Sequence, residues 1–400
     1  MPRVERRSIM NILFYRYNSI CEPSFIYTFN KAGLNVIEES NEVFNKDVSS
    51  TALVKNVSAI LSKNPCAFVF SINFFPALSA VCNIMNIPYV CVVVDSPILE
   101  LYSDELMNEC NRIFIFDYDN YRIFHKRNPK GVFHLPLSGD IDNCGNTILN
   151  APQHVLDKFS HEISFIGSLY SEKCVYNQAG YSEFVKGYID GLVASQINIY
   201  GQNFIYNVLT DDMADKILKE YDFYRFPEKS HGDYKAVVAE QVIGVKTSEQ
   251  DRIRTLKYLS EDCGFNIDVY TGSDTSMLPL IHNRGFAKSL TEMPLIFNRS
   301  KINLNITART IHTGLSQRIF DVLACGGFLI TNYQAELDEF FTIGKDLEVY
   351  TSLEELCDKI SFYLTHDDVR TKIALSGYDT IVSKHSIDTR FSEILNLSFK

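Results

Sequence analysis

Apolar and polar positions follow two rhythms, and the first 150 residues switch between them regularly. Short, nearly continuous apolar runs at residues 11–17, 34–37, 66–72, 88–94, 112–116 and 132–135 predict buried strands. Between them, segments 23–32, 50–62, 76–85, 99–110 and 118–126 carry the three-to-four-residue spacing of helices. Apolar strands alternating with helices predict a parallel sheet covered on both faces, wound by right-handed crossovers. In such a domain ligands lie beyond the carboxyl ends of the strands, which singles out Asn18, Asn73, Asp95, Asp117 and His134.

Residues 138–152 are polar, with Gly139 and Gly145, and read as an interdomain linker. A second sheet begins at 163–166 and returns only at 267–270, which ends in Thr271-Gly272. The stretch between, about 176–262, has helical patterns at 181–194, 211–224 and 251–263 and a short strand pattern at 198–201. It reads as an insertion that covers an acceptor, forms a homodimer contact or only enlarges the domain, and all three stay open. The most informative segment is 300–333: strand 301–307, polar loop 308–314, helix 315–325, Gly326-Gly327, then a buried strand. A loop that feeds a helix start from a strand end presents free N–H groups suited to phosphate. Arg318 and Asp321 are the charged residues of that helix, an Arg for a diphosphate and a carboxylate for ribose hydroxyls, unless both simply face solvent.

Length predicts two domains, with three as the alternative. The formal net charge of −11 argues against nucleic acid as a partner, which needs a basic face. No run approaches the roughly 18 apolar residues of a membrane helix, and the basic start lacks a signal-peptide core, so a cytoplasmic location is expected. The 10 cysteines show no C-x-x-C pair and no zinc spacing, and reduced thiols are expected. Cys66, Cys82, Cys91 and Cys325 sit in apolar contexts and read as small core residues.

The phrase Gly314-Leu315-Ser316-Gln317-Arg318-Ile319-Phe320-Asp321-Val322-Leu323-Ala324-Cys325-Gly326 resembles the donor-binding segment of GT-B glycosyltransferases. The resemblance is closest to the bacterial CgeB-like (spore maturation) branch and the glycosyl transferase family 1 group. It is specific over about 300–390, fair at 163–173, where Gly167-Ser168 looks like a first glycine loop, and weak elsewhere. It implies an α/β GT-B fold: two Rossmann-like doubly wound domains facing a cleft, with a helical insertion in the second. The expected boundaries are 1–150 for the acceptor-side domain and 151–385 for the nucleotide-sugar domain, with 386–400 a helix that crosses back to the first. The implied substrate is a nucleotide-sugar, taken as a UDP-sugar, with no tightly bound cofactor. The acceptor is a hydroxyl of a protein or glycan, in hexosyl or N-acetylhexosaminyl transfer.

Asp321 stands where the family has the Glu that holds the ribose, and Thr313 where the retaining superfamily has an earlier Glu. The nucleotide-sugar set is Gly167, Ser168, Lys173, Asn305, Arg309, Gly314, Gln317, Arg318 and Asp321. Lys173 reaches for the diphosphate by resemblance. Asn305 and Arg309 face the cleft by the strand assignment, and an Arg fork suits a diphosphate better than Lys.

If the reaction inverts, a base from the first domain is needed. Asp95, expected to be partly desolvated after an apolar strand, and His134 are the candidates, against a turn or cap for Asp95 and a half-buried histidine for His134. Asp117-Tyr118-Asp119 and Asp140-Ile141-Asp142 imitate the metal-binding D-x-D of GT-A enzymes but read better as helix caps, so no metal is assigned. Two rivals remain, a nucleotide-sugar epimerase on the same scaffold and a non-catalytic structural protein of a spore or surface layer.

Overall fold

The structure is a computed structural model that describes residues 10–227 and 230–400. β1 (Asn11–Tyr15), β2 (Asn35–Glu39), β3 (Val69–Ile72), β4 (Tyr89–Val92), β5 (Asn111–Ile115) and β6 (Val132–His134) form one sheet in the order β2-β1-β3-β4-β5-β6. β7 (Ile163–Ile166), β8 (Ile267–Tyr270), β9 (His282–Asn283), β10 (Ile302–Asn305), β11 (Leu329–Asn332) and β12 (Glu348–Tyr350) form the other, in the order β12-β11-β10-β7-β8-β9. Every adjacent pair is parallel. The central strands are buried on both faces because helices cover both, as the unbroken apolar runs predict. The strand order reverses between β1 and β3 and between β10 and β7, and these are the crevices where doubly wound sheets take ligands.

Between β7 and β8 the chain builds helices including Glu183–Gln196, Asp211–Glu220 and Val245–Lys257. The last helix, Ile387–Ser398, starts on Ser386, whose hydroxyl accepts from the Thr389 N–H, and lies against Glu22–Lys31. There Phe391 packs on Phe29 at 5.0 Å, and Lys31 bonds both Asp142 and Asp388 at 2.7 Å.

Four local expectations are corrected. Segment 99–110 is two 3-10 turns, Leu99–Tyr102 and Asp104–Met107, because the chain bends at Ser103. No strand forms at 198–201; the Ile197 and Ile199 carbonyls accept from the Arg309 guanidinium instead of a neighbouring strand. The polar linker contains a helix, Ile141–Leu149, begun by the Asp140 side chain accepting from the Asn143 N–H. Cys263 and Cys357, 94 residues apart, are joined as a disulfide with Cα atoms 6.5 Å apart, where reduced thiols were expected.

The two sheets meet at Asp117, which lies just past β5 and is fully buried. Its Oδ1 accepts from the Asn120 N–H and starts the helix Tyr118–His125. Its Oδ2 accepts from the His312 N–H at 2.7 Å and from the Thr313 and Gly314 N–H groups at 3.1 Å. A buried carboxylate needs such donors, since leaving its charge unmet costs several kcal/mol. Glu336 makes a second tie: Oε1 accepts from the Tyr118 N–H and the Thr313 hydroxyl, and Oε2 lies 2.9 Å from His134 Nε2. On the far side His312 Nε2 meets Glu240 Oε1 at 2.6 Å. Burial pulls the His312 imidazole down, but Glu240, with Asp117 and Asp119 behind it, overrides this and lifts it to about 9.

Two outcomes follow from this joint. A Cβ at Gly314 would lie 2.8 Å from Asp117 Cα and 3.0 Å from the Phe116 carbonyl oxygen, so Gly314→Ala should destabilise by about 1–3 kcal/mol, read as a lower urea midpoint. The His312 pair should add stability that is complete below about pH 6.5 and fades as pH rises through about 9. Chemical unfolding across that range checks it, and Glu240→Gln should flatten the dependence.

Candidate functional site

The helix Gln317–Ala324 begins at the end of the loop pinned by Asp117, and its apolar face, Ile319, Phe320, Val322 and Leu323, is buried. That packing turns Gln317, Arg318 and Asp321 toward the gap between the sheets. Gln317 Nε2 donates to the Ser138 carbonyl and to Asp321 Oδ1, both at 2.8 Å. Arg318 Nη1 donates to Asp321 Oδ2 at 3.2 Å, and its guanidinium lies over the Phe297 ring at 5.0 Å. Burial raises the Asp321 carboxyl, with Arg318 and Gln317 holding it back. Burial likewise lowers Arg318, with Asp321 opposing. Asp321 and Gln317 line a small cavity of about 80 Å³, with Leu290 and Met293 beside them and Cys21 and Phe25 of the first sheet's side opposite.

At the second sheet's crevice the Gly167 N–H donates to the Tyr270 carbonyl, and the Ser168 hydroxyl donates to Glu172 at 2.7 Å. Lys173 is exposed, its ammonium 6.0 Å from the Tyr170 ring centre. The charge inside the crevice is a different one. Arg252 comes from the helix Val245–Lys257, donates to the carbonyls of Ser168 and Ile306, and stacks over Tyr170 at 4.6 Å. It bridges the ends of β7 and β10, where the strand order reverses. Sequence reading passed over Arg252 because its distance from both strands in the chain gives no sign of this contact.

Two residues expected to face the cleft do not. Arg309 is buried, with Nε on Asp251 Oδ2 at 2.9 Å and its other nitrogens on the Ile199 and Ile197 carbonyls and on Asp251. Four of its five N–H donors tie the loop to the inserted helices, and the side chain is buried away from the cleft. Asn305 is also buried, its amide placed against the Thr307 and Thr331 hydroxyls and, at 3.3 Å, the Ser316 hydroxyl at the start of the Gln317–Ala324 helix. Gly314 has its N–H on Asp117, as above.

On the first sheet's side, Asp95 is exposed, so the expected desolvation is absent. The reason is that the chain after β4 turns outward, leaving Asp95 Oδ2 held at 2.7 Å by Asn73 Nδ2, which also reaches the Tyr17 hydroxyl at 2.8 Å. His134 is half-buried, with Nε2 facing Glu336 and the Phe116 carbonyl. Burial lowers its basicity, but Glu336 and that carbonyl outweigh it, and the net shift is upward. Both carboxylate oxygens of Asp117 accept backbone N–H groups, three on Oδ2 and one on Oδ1, as a helix cap and loop anchor does. Among the described residues no cluster of three metal-ligating side chains forms and no helix is long and apolar enough to cross a membrane.

Comparison with known proteins agrees with this geometry. Residues 253–396, which hold the Gln317–Ala324 helix, match the family model described as Glycosyl transferase-like. No curated protein matches the chain in sequence. Among solved structures, a glycosyltransferase from Rickettsia africae is similar at 11% identity and TM-score 0.52, covering 98% of each chain. HepE from Anabaena, solved in complex with UDP-glucose, is similar at 11% identity and TM-score 0.52 over 97% of this chain and 98% of its own. A structure assigned as a UDP-N-acetylglucosamine 2-epimerase from Listeria monocytogenes is similar at 9% identity and TM-score 0.50, over 97% and 95%. At such identities the likeness shows the fold: two parallel six-stranded sheets with flanking helices in the GT-B arrangement.

Proposed function

We propose that the protein is a glycosyltransferase that moves a hexosyl or N-acetylhexosaminyl unit from a UDP-sugar to an acceptor hydroxyl of a protein or glycan. The observation that carries this reading is the face of the Gln317–Ala324 helix: Asp321, with Arg318 and Gln317 beside it, at the wall of the gap between the sheets. A carboxylate there suits two ribose hydroxyls, and Arg318 suits the diphosphate. Leu290 and Met293 give an apolar edge on which a base can lie. Arg252 adds a fixed positive charge at the strand-order crevice, near Gly167 and Ser168. Lys173, on an exposed turn, has the freedom to swing onto the same phosphates. The UDP-glucose complex of HepE, on the same fold, supports a UDP-sugar as donor.

Phosphate charge would be met by Arg and Lys side chains, with the buried Asp117 engaged by backbone N–H groups of the loop 312–314. Positioning and this electrostatic field would supply most of the rate. The first-domain base for an inverting reaction is Asp95, exposed at the cleft and oriented by Asn73; His134, facing Glu336, is the weaker choice. A cavity of about 80 Å³ is far below the 300 Å³ or so that ligand pockets need, so the donor enters only if the wall at Cys21 and Phe25 moves away from Asp321.

The epimerase of the same fold keeps a second reading alive, and the two separate on product: a transferase releases UDP when acceptor is present, whereas an epimerase changes the donor sugar without one. Donor binding is tested by titration with UDP. Asp321→Ala should weaken it by about 1–3 kcal/mol, roughly 5- to 150-fold. Unchanged affinity would remove Asp321 from the donor site.

A further inference from the structure

A cavity of about 390 Å³ lies against the first sheet's domain, and none of the donor residues line it. Its floor is apolar and comes from the first sheet and the turn and helix that follow β4 and β5: Val93, Leu101, Ile115 and Phe124, all buried. Its roof belongs to the inserted segment, with Asn203, Tyr206, Asn207 and Glu240 facing the sheet. The mouth opens to solvent at Lys126, Tyr206 and Asn207. Asp95, at the cleft, is also part of its wall, so the cavity adjoins the place where a sugar would be transferred.

The polar groups of this wall differ in how far they are already used. Asp117 accepts four backbone N–H groups, and Asp233 accepts from the Tyr206 hydroxyl and the Ala236 N–H. Asp119, the second carboxylate of the D-x-D phrase, has a side chain 40% exposed, accepts no hydrogen bond among the described residues, and has Arg122 at 3.9 Å, with His312 also acting on its charge. Burial raises its carboxyl, and the charge of Asp117 adds to this. Glu240, 8% exposed, uses one oxygen on His312 and leaves Oε2 without a partner. Asn207 brings an amide to the same lip, while the Asn120 amide already donates to the Ser96 hydroxyl at 3.3 Å and the Asn203 amide to the Arg309 carbonyl at 2.9 Å. Unused carboxylate acceptors and an amide above an apolar floor fit a ring with hydroxyls on its edge and C–H groups on its face. The wall holds five carboxylates against Arg122, Lys126 and His312, which disfavours an acidic ring. The volume falls within the range of small-molecule sites.

We infer that this cavity is an acceptor subsite for an uncharged sugar ring, that Asp119 receives one of its hydroxyls, and that the inserted helices are the element that selects it. Its use as an acceptor subsite rests on the transferase reading; its binding of a sugar does not. An acceptor bound here has its reacting hydroxyl toward Asp95, and the glycan or protein it belongs to leaves through the mouth at Tyr206.

The test is saturation-transfer NMR on the full chain with methyl glucoside, methyl galactoside and methyl mannoside, and with methyl glucuronide as the acidic counterpart. UDP titration runs in parallel. At least one neutral glycoside should receive saturation and the glucuronide should not. The signal should fall several-fold in Asp119→Asn, which keeps the side-chain shape, and in Tyr206→Ala, an exposed position, while UDP affinity holds. No signal from any neutral glycoside, an equal signal from the glucuronide, or an undiminished signal in both variants overturns the inference. If neutral glycosides bind and UDP does not, the sugar cavity stands and the donor reading falls. If UDP binds and no glycoside does, the cavity inference alone falls.

Discussion

Three backbone N–H groups of one loop converge on a single buried carboxylate, Asp117 Oδ2, and the rest of the site depends on that contact. The carboxylate cannot be dry and unpaired, and the loop 312–314 cannot leave its donors unmet so close to the first sheet, so each fixes the other. The loop runs directly into the helix Gln317–Ala324. Where Asp117 holds the loop, it sets where Gln317, Arg318 and Asp321 point. Glu336 repeats the design from the second sheet's side, gathering the Thr313 hydroxyl, the Tyr118 N–H and His134. Glu336 thereby brings a carboxylate to the loop, 2.7 Å from the Thr313 hydroxyl.

The inserted helices are not a passive enlargement in this arrangement. They send Arg252 into the crevice between β7 and β10 and Glu240 onto His312, and they receive Arg309 on Asp251 and on the Ile197 and Ile199 carbonyls. A buried ion pair of the Arg309–Asp251 kind is weak evidence for stability by itself, since desolvation offsets most of its attraction. Its effect is on register: it fixes the insertion relative to the loop, and thereby relative to the first sheet. The same elements thus hold the loop at Arg309 and His312 and roof the cavity in front.

Much of the scaffold was legible because burial on both faces leaves a plain signature. The runs around Val69–Ile72, Tyr89–Val92 and Leu329–Asn332 are apolar or nearly so, and the strands lie where those runs are. The helix bearing Asp321 was legible too, from its spacing and from Gly326, which takes a positive φ at its end. What stayed hidden was the pairing of charges across the chain. Arg309 looks like a cleft residue until Asp251, 58 positions earlier, is brought against it. Asp117 looked like half of a metal motif or a helix cap; it is the cap, but its second oxygen belongs to a loop almost 200 residues away. Asp95 ends an apolar strand yet turns out to solvent, because the fate of the first residue beyond a strand is decided by loop geometry.

The most direct measurement is amide hydrogen exchange along the whole chain with and without UDP. Donor binding on the Gln317–Ala324 helix predicts slowed exchange at residues 289–294 and 314–325, the two segments that meet at the Asp321 cavity. No slowing at either segment, or slowing confined to the inserted residues 203–240, would contradict the account.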